Sequence, residues 1–231
     1  MPILDQWDLR LDADAVMRGQ GADPDALRKR RPHLVEIAAQ ALNEALPLLH
    51  PKVYYERFSV STILHNRVQL AGSKEIKGEG ITKYLSSAQE VLAIICTIGI
   101  DLEQWTSRVM ETDIVHGLAL YGAGSAAVEA LANAACLYFE VQAALQRLQT
   151  TIPLNPGMVG WPVEEGQPQI FSLLDGSQVG VKLTQSAIMV PVKSLTMLLG
   201  MGSNLSRQGT PCDYCSMRKV RKYQTDHAPK N

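Results

Sequence analysis

The sequence lacks an excess of either charge, and this absence excludes whole classes of partner. Its 22 lysines and arginines nearly balance 23 aspartates and glutamates, for a formal net charge of -1. Domains that bind nucleic acid or anionic membrane surfaces commonly carry clusters of basic residues and a basic net charge. We therefore expect neither nucleic acid nor a membrane surface as a partner.

Long apolar runs are also missing. The opening residues, MPILDQWDLRLDADAV, contain acids where a secretory signal would have a basic start and an apolar core. No stretch of about 18 uninterrupted apolar residues is available to cross a membrane. Hydrophobic residues nevertheless make up 46% of the chain, as in ordinary folded proteins. These features predict a soluble cytoplasmic protein.

Cysteine is scarce, with four in 231 residues. Two lie in apolar segments typical of a core, whereas Cys212 and Cys215 form a Cys-x-x-Cys pair in the basic segment 207–231. Such a pair is half of a four-ligand metal site, part of an iron–sulfur site, a redox dithiol, or two cysteines without a role. His227 is a lone further ligand candidate. A metal or cluster at Cys212 and Cys215 would therefore need ligands from elsewhere.

What the sequence does contain is a series of helical patterns. Apolar residues recur at helical spacing over 34–49, and Asp23 followed by Pro24 predicts the start of a preceding helix. Asp101 is placed to cap another helix, and 114–149 predicts a long one that opens with many glycines and alanines. Small residues of this kind favour close packing, or the close approach of a ligand.

Strand patterns lie between the helical ones. Residues 52–72 have the β-branched and aromatic content of one strand or a hairpin, and 91–99 predicts a central strand buried on both faces. Residues 178–187 and 192–202 predict two further strands that pair with each other antiparallel. Helices and strands are interleaved without a clear boundary, which indicates one α+β domain with a helical N-terminal part at about 1–50.

The most unusual stretch is PLNPGMVGWP (153–162), with three prolines and two glycines in ten residues. Prolines fix φ, and Gly157 and Gly160 permit φ above zero, so the loop is stiff and locally unusual. Stiff loops between regular elements favour ligand sites, although most proline-glycine loops only turn the chain. Glu129, in a run of alanines, is either a ligand contact or a solvated helix carboxylate.

Four segments in order carry a resemblance to a known family: TIGIDLEQW, GAGSAAVEALAN, NPGMVGWPVEEGQPQIFSLLD and GVKLTQSAIMVPVKSLTMLLG. Together they resemble the activation (reactivation) domain of vitamin B12-dependent methionine synthase, and more closely the stand-alone proteins related to that domain. The resemblance runs from about residue 12 to the cysteine pair. It implies a helmet-like single α+β domain over 1–206, with a twisted antiparallel sheet and flanking helices, followed by the basic segment 207–231.

The resemblance also implies a function. In methionine synthase this domain binds S-adenosylmethionine and caps the corrinoid after cob(II)alamin has formed, and an electron from a flavodoxin-type donor and a methyl group restore methylcobalamin. A stand-alone relative is expected to serve a corrinoid protein, or a cobalamin-dependent methionine synthase that lacks its own activation domain. It would be an accessory to reductive activation in methionine biosynthesis, with a flavodoxin or ferredoxin-type electron donor.

The family loop reads Arg-x-x-Pro-Gly-Tyr, and its arginine holds the methionyl carboxylate of the cofactor. Here Pro153 and Met158 replace the arginine and the tyrosine, while the Pro-Gly turn is kept. Trp161 is expected as an aromatic wall, and Lys182 or Lys193 as a substitute partner for the carboxylate. The residues that the resemblance places around the cofactor are Glu129, Asn155, Pro156, Gly157, Met158, Trp161, Lys182 and Lys193.

Two further departures bear on cofactor binding. Gln185 stands in the strand where the family has a glutamate, and Tyr121 replaces an aspartate often found before the Gly-Ala-Ser helix. Two alternatives therefore stay open beside S-adenosylmethionine binding. The protein is a corrinoid-protein adaptor or chaperone that has lost the methyl donor, or its cysteine pair is a metal or redox relay.

Overall fold

The computed structural model describes residues 3–205 of the chain. Cys212, Cys215 and the rest of the segment 207–231 lie outside these described residues, so the metal-site prediction stays a prediction. The elements, in chain order, are β1 (Ile3–Leu4), α1 (Ala13–Gly19), α2 (Pro24–Arg30), α3 (Pro32–Ala45), β2 (Lys52–Leu64), β3 (Arg67–Leu70), β4 (Lys74–Lys77), α4 (Glu79–Tyr84), β5 (Glu90–Thr97), α5 (Asp101–Met110), α6 (Ile114–Leu145), β6 (Gln149–Thr150), α7 (Val163–Leu173), β7 (Lys182–Leu183), β8 (Met189–Val190) and β9 (Ser194–Gly202).

A seven-stranded antiparallel sheet, curled into a half-barrel, forms the centre of the domain. Its strand order is β4-β3-β2-β5-β9-β6, with β1 added to β2. The β-branched run Val91–Thr97 of β5 is buried throughout and pairs with β2 on one side and β9 on the other. The predicted central strand and the α+β class are therefore confirmed, and of the two alternatives for residues 52–72 the structure has the hairpin of β2 and β3.

Side-chain alternation along β9 separates two hydrophobic cores. Met197, Leu199 and Met201 face the core beneath α1, α3 and α6. Leu198 faces the opposite core, with Trp161 from the stiff loop. Because successive residues of a strand point to opposite faces, the sheet lies between a helical layer and a layer made of the loop and α7.

The long helix α6 packs very closely on α1. A Cβ atom at Gly19 would lie 2.3 Å from the carbonyl oxygen of Gly122, and one at Gly122 would lie 2.6 Å from that of Val16. Gly19 and Gly122 therefore permit the close packing of these two helices. Among the described helices, α6 alone is long and apolar enough to cross a membrane, since its most apolar 18 residues have a mean hydropathy of 1.3. Half of those residues are buried inside the domain, and the core helices of soluble proteins can have the same length and composition.

Two local predictions about helix starts have different outcomes. Asp23 caps α2 by accepting hydrogen bonds from the amides of Asp25 and Ala26, and Pro24 is the first helical residue, as predicted. The prediction for Asp101 is wrong, because Ile100 is at the cap position and no side chain caps α5. The Asp101 carboxylate instead lies 2.9 Å from Nε2 of His50, which draws it away from the helix amides.

The predicted pairing of residues 178–187 with 192–202 is also wrong. Only Lys182–Leu183 is extended in the first segment, and it pairs with Met189–Val190 to form a separate two-stranded sheet. Positive φ angles at Gly180 (74°) and Ala187 (57°) break the first segment into turns. The apolar strand β9 pairs instead with β5 and β6, where it is buried on both faces.

Candidate functional site

The stiff loop is tied to the sheet at its start. Leu154 exchanges two backbone hydrogen bonds of 2.9 Å with Leu198 of β9. Gly157 and Gly160 have φ angles of +99° and +79°, and the Gly157 amide donates to the Trp161 carbonyl at 2.8 Å. The sequence predicted this backbone correctly, since both glycines occupy conformations that other residues rarely adopt.

Three side chains of the loop, those of Leu154, Met158 and Trp161, point into the core. Trp161 is fully buried and Met158 is 4% exposed. A Cβ at Gly166 of α7 would lie 2.9 Å from the Trp161 ring, so the ring needs the glycine. Trp161 Nε1 has no hydrogen-bond partner among the described residues. In this conformation Trp161 packs beneath the loop and does not form a wall of an open cleft.

The half-buried part of the loop, residues 155–157, contacts β9 through Asn155. Asn155 Nδ2 donates to the Thr196 carbonyl at 3.2 Å, and Thr196 Oγ1 donates to Gln167 Oε1 at 2.8 Å. Asn155, Pro156 and Gly157 are half-buried. The sequence did not single out Thr196 or Gln167, because their roles depend on how the loop and α7 meet the sheet.

Lys193, just before β9, points to the other face of the sheet and is only 8% exposed. Its Nζ donates to Ser125 Oγ at 2.8 Å and lies 3.1 Å from the centroid of the Tyr121 ring. Both partners belong to α6. Burial lowers the pKa of Lys193 to about 8, against the opposing attraction of Glu103. A buried lysine with a lowered pKa beside an exposed aromatic ring is a candidate functional group.

The predicted site residues thus fall into two sets along the first half of β9. Lys193, with Ser125 and Tyr121, lies on the α6 face, and Asn155 contacts Thr196 three residues further on. Glu129 is exposed one helical turn after Ser125. Lys182 is exposed in the small β7–β8 sheet. Ser125 was part of a quoted motif, but its contact with a residue 68 positions away carries no local sequence signal.

Other features of the described residues lie apart from this region. One groove of about 590 Å³ runs beside the C-terminal half of α6, and another of about 810 Å³ lies between β2 and residues 171–183. Within residues 3–205, no three histidine, cysteine or acidic side chains are grouped closely enough to hold a metal ion.

Comparison with known proteins gives a structural likeness alone. The chain is similar to the solved structure of the MetH reactivation domain bound to AdoHcy, with a TM-score of 0.61 over 93% of this chain and 83% of that one, at 14% sequence identity. No protein-family model matches. No curated protein matches either. The comparison confirms the predicted resemblance and fold: this chain is a single α+β domain with the fold of the MetH reactivation domain.

Proposed function

We propose that this protein binds S-adenosylmethionine and presents it to a corrinoid-dependent methyltransferase during reductive reactivation. One observation carries the proposal: a domain of the same fold, aligned over 93% of this chain, has been solved with AdoHcy bound. AdoHcy is what remains of S-adenosylmethionine after the methyl group has left. A fold by itself does not determine function, so the local features must also fit.

Two features, one on each face of the sheet near the start of β9, support binding of a small polar ligand. The Pro156–Gly157 turn, where the resemblance expects the ligand backbone contacts, is half-buried and stiff. Lys193 supplies a positive charge and Tyr121 an aromatic face. The protein's part is to bind and orient the methyl donor, while the corrinoid on the partner accepts the methyl group after reduction.

An exposed apolar stripe supports docking on a partner. Ile114, Leu118 and Tyr121 recur at i, i+4 and i+7 on α6 and are 67%, 49% and 44% exposed. Val192, 47% exposed, directly precedes Lys193. The proposed partner is a cytoplasmic corrinoid protein, or a cobalamin-dependent methionine synthase without its own activation domain. A flavodoxin or ferredoxin-type protein would supply the electron.

A reactivation assay tests this function. A cobalamin-dependent methionine synthase truncated before its activation domain is held as cob(II)alamin with a reductant and S-adenosylmethionine, and its absorption spectrum is followed. We expect methylcobalamin to appear faster when this protein is added. An unchanged rate would contradict the proposal.

A pair of variants on α6 tests the docking surface in the same assay. Leu118→Glu places a charge within the exposed stripe, and we expect it to slow the reaction by tenfold or more because an interface would have to bury that charge. Leu137→Glu is the matched control, because Leu137 is 62% exposed near the other end of the same helix. Equal behaviour of the two variants would argue against this surface.

A second candidate function rests on the loop. Pro153 has no charge for a carboxylate, and Met158 and Trp161 are buried, so the residues that the resemblance places around the cofactor are partly missing or turned inward. An adaptor that docks on a corrinoid protein without a methyl donor fits this observation. Capture of a defined corrinoid protein at equal affinity with and without S-adenosylmethionine, together with no reactivation, would favour the adaptor.

A further inference from the structure

The Lys193 ammonium is buried, and the attraction of nearby negative charge does not make up for its loss of contact with water. Its pKa is lowered because burial outweighs the attraction of Glu103. The Glu103 carboxylate already accepts a hydrogen bond of 2.7 Å from the Val192 amide. Buried cations in proteins are normally paired with carboxylates, because an uncompensated charge is costly to remove from water.

The two groups that Lys193 does contact are neutral. Ser125 Oγ accepts one hydrogen bond from Nζ and itself donates to the Tyr121 carbonyl at 3.1 Å. The face of the Tyr121 ring covers the ammonium at 3.1 Å from its centroid. An ammonium has three donors, so a hydroxyl and a ring leave hydrogen-bonding capacity for an anion.

We infer that Lys193 binds the carboxylate in the amino-acid part of the ligand, and that the Tyr121 ring occupies this position until the ligand arrives. The inference rests on the proposed function and names the cation that would meet the ligand's carboxylate. Tyr121 is 44% exposed, so its ring has solvent to move into. Gly124 adds no side chain here, where a Cβ would already lie 3.2 Å from Lys193 Cε.

Two ligands that differ only in this group provide the test: S-adenosylmethionine and decarboxylated S-adenosylmethionine, titrated calorimetrically. We expect the wild-type protein to prefer the carboxylated ligand by roughly tenfold to a hundredfold, which is the value of a charge-assisted hydrogen bond. Lys193→Met, of similar length and without charge, is expected to bind both ligands equally. Lys193→Arg should keep a preference, and Lys83→Met, on the exposed face of α4, should match the wild type.

Each contrary outcome has a distinct meaning. If Lys193→Met keeps the full preference, the inference is overturned while the proposed function stands. If Lys182→Met abolishes the preference instead, the carboxylate belongs at the β7–β8 sheet and the inference is equally overturned. If the wild-type protein binds neither ligand, the proposed function fails and the inference fails with it. Thermal melting of every variant identifies any loss of folding.

Discussion

At the scale of one residue, the burial of Lys193 makes the stability of the folded protein depend on pH. Because burial lowers its pKa to about 8, the unfolded chain holds this proton more tightly than the folded chain does. The stability of the wild-type protein therefore gains from this group as the pH rises from about 8 towards the ordinary lysine value of 10.5. At pH 7 Lys193 is charged, and the folded protein is destabilised by the full free energy needed to bury that charge.

Lys193→Met should remove that cost. We expect the variant to be more stable than the wild type at pH 7 by roughly 1 to 3 kcal/mol, and the advantage to shrink between pH 8 and pH 10.5. Denaturant unfolding of both proteins at pH 7 and pH 10 measures it. A variant that is less stable at pH 7, with a constant difference across pH, would mean that Lys193 is a structural contact.

At the scale of elements, the junction between α1 and α6 depends on the absence of side chains. Gly122→Ala would place a Cβ 2.6 Å from the Val16 carbonyl oxygen, and a backbone atom cannot move aside. We expect a loss of about 1 to 3 kcal/mol in the free energy of unfolding despite the better helix propensity of alanine.

Gly124→Ala is the matched control on the same helix. Its Cβ would meet side-chain atoms alone, those of Lys193 at 3.2 Å and of Leu102 at 3.3 Å, and no backbone atom lies among its nearest neighbours. We expect stability within about 1 kcal/mol of the wild type, since the gain in helix propensity offsets a small adjustment. Denaturant unfolding of the two variants side by side measures the contrast. Equal losses in the free energy of unfolding would show that neither glycine position accepts a methyl group.

Element prediction from sequence succeeded where the signal was local and failed where partners compete. The β-branched run of β5 and the Asp23–Pro24 helix start carry their own information, and both are confirmed. Asp101 had the right type and place for a cap, but His50 lies close enough to engage its carboxylate. The pairing of β9 was mispredicted because sequence adjacency says little about which strand offers the largest buried surface.

At the scale of the whole molecule, the order of motifs predicted the fold, whereas the site was predicted only as a list of residues. The list contained Asn155 and Lys193, which do lie along β9. It also contained Trp161, whose burial depends on Gly166 and could not be read from the loop itself. The contacts of Lys193 with Ser125 and Tyr121 come from α6, and such long-range contacts exist only in the folded chain.

Calorimetric titration of the purified protein with S-adenosylmethionine tests the central claim most directly, with Pro153→Arg as the comparison. We predict saturable binding by the wild type in the micromolar range, and binding of S-adenosylhomocysteine as well, because the proposal gives the ligand's carboxylate a positive charge at Lys193. No binding by the wild type but clear binding by Pro153→Arg would contradict the claim. The fold would then be present without binding of the ligand.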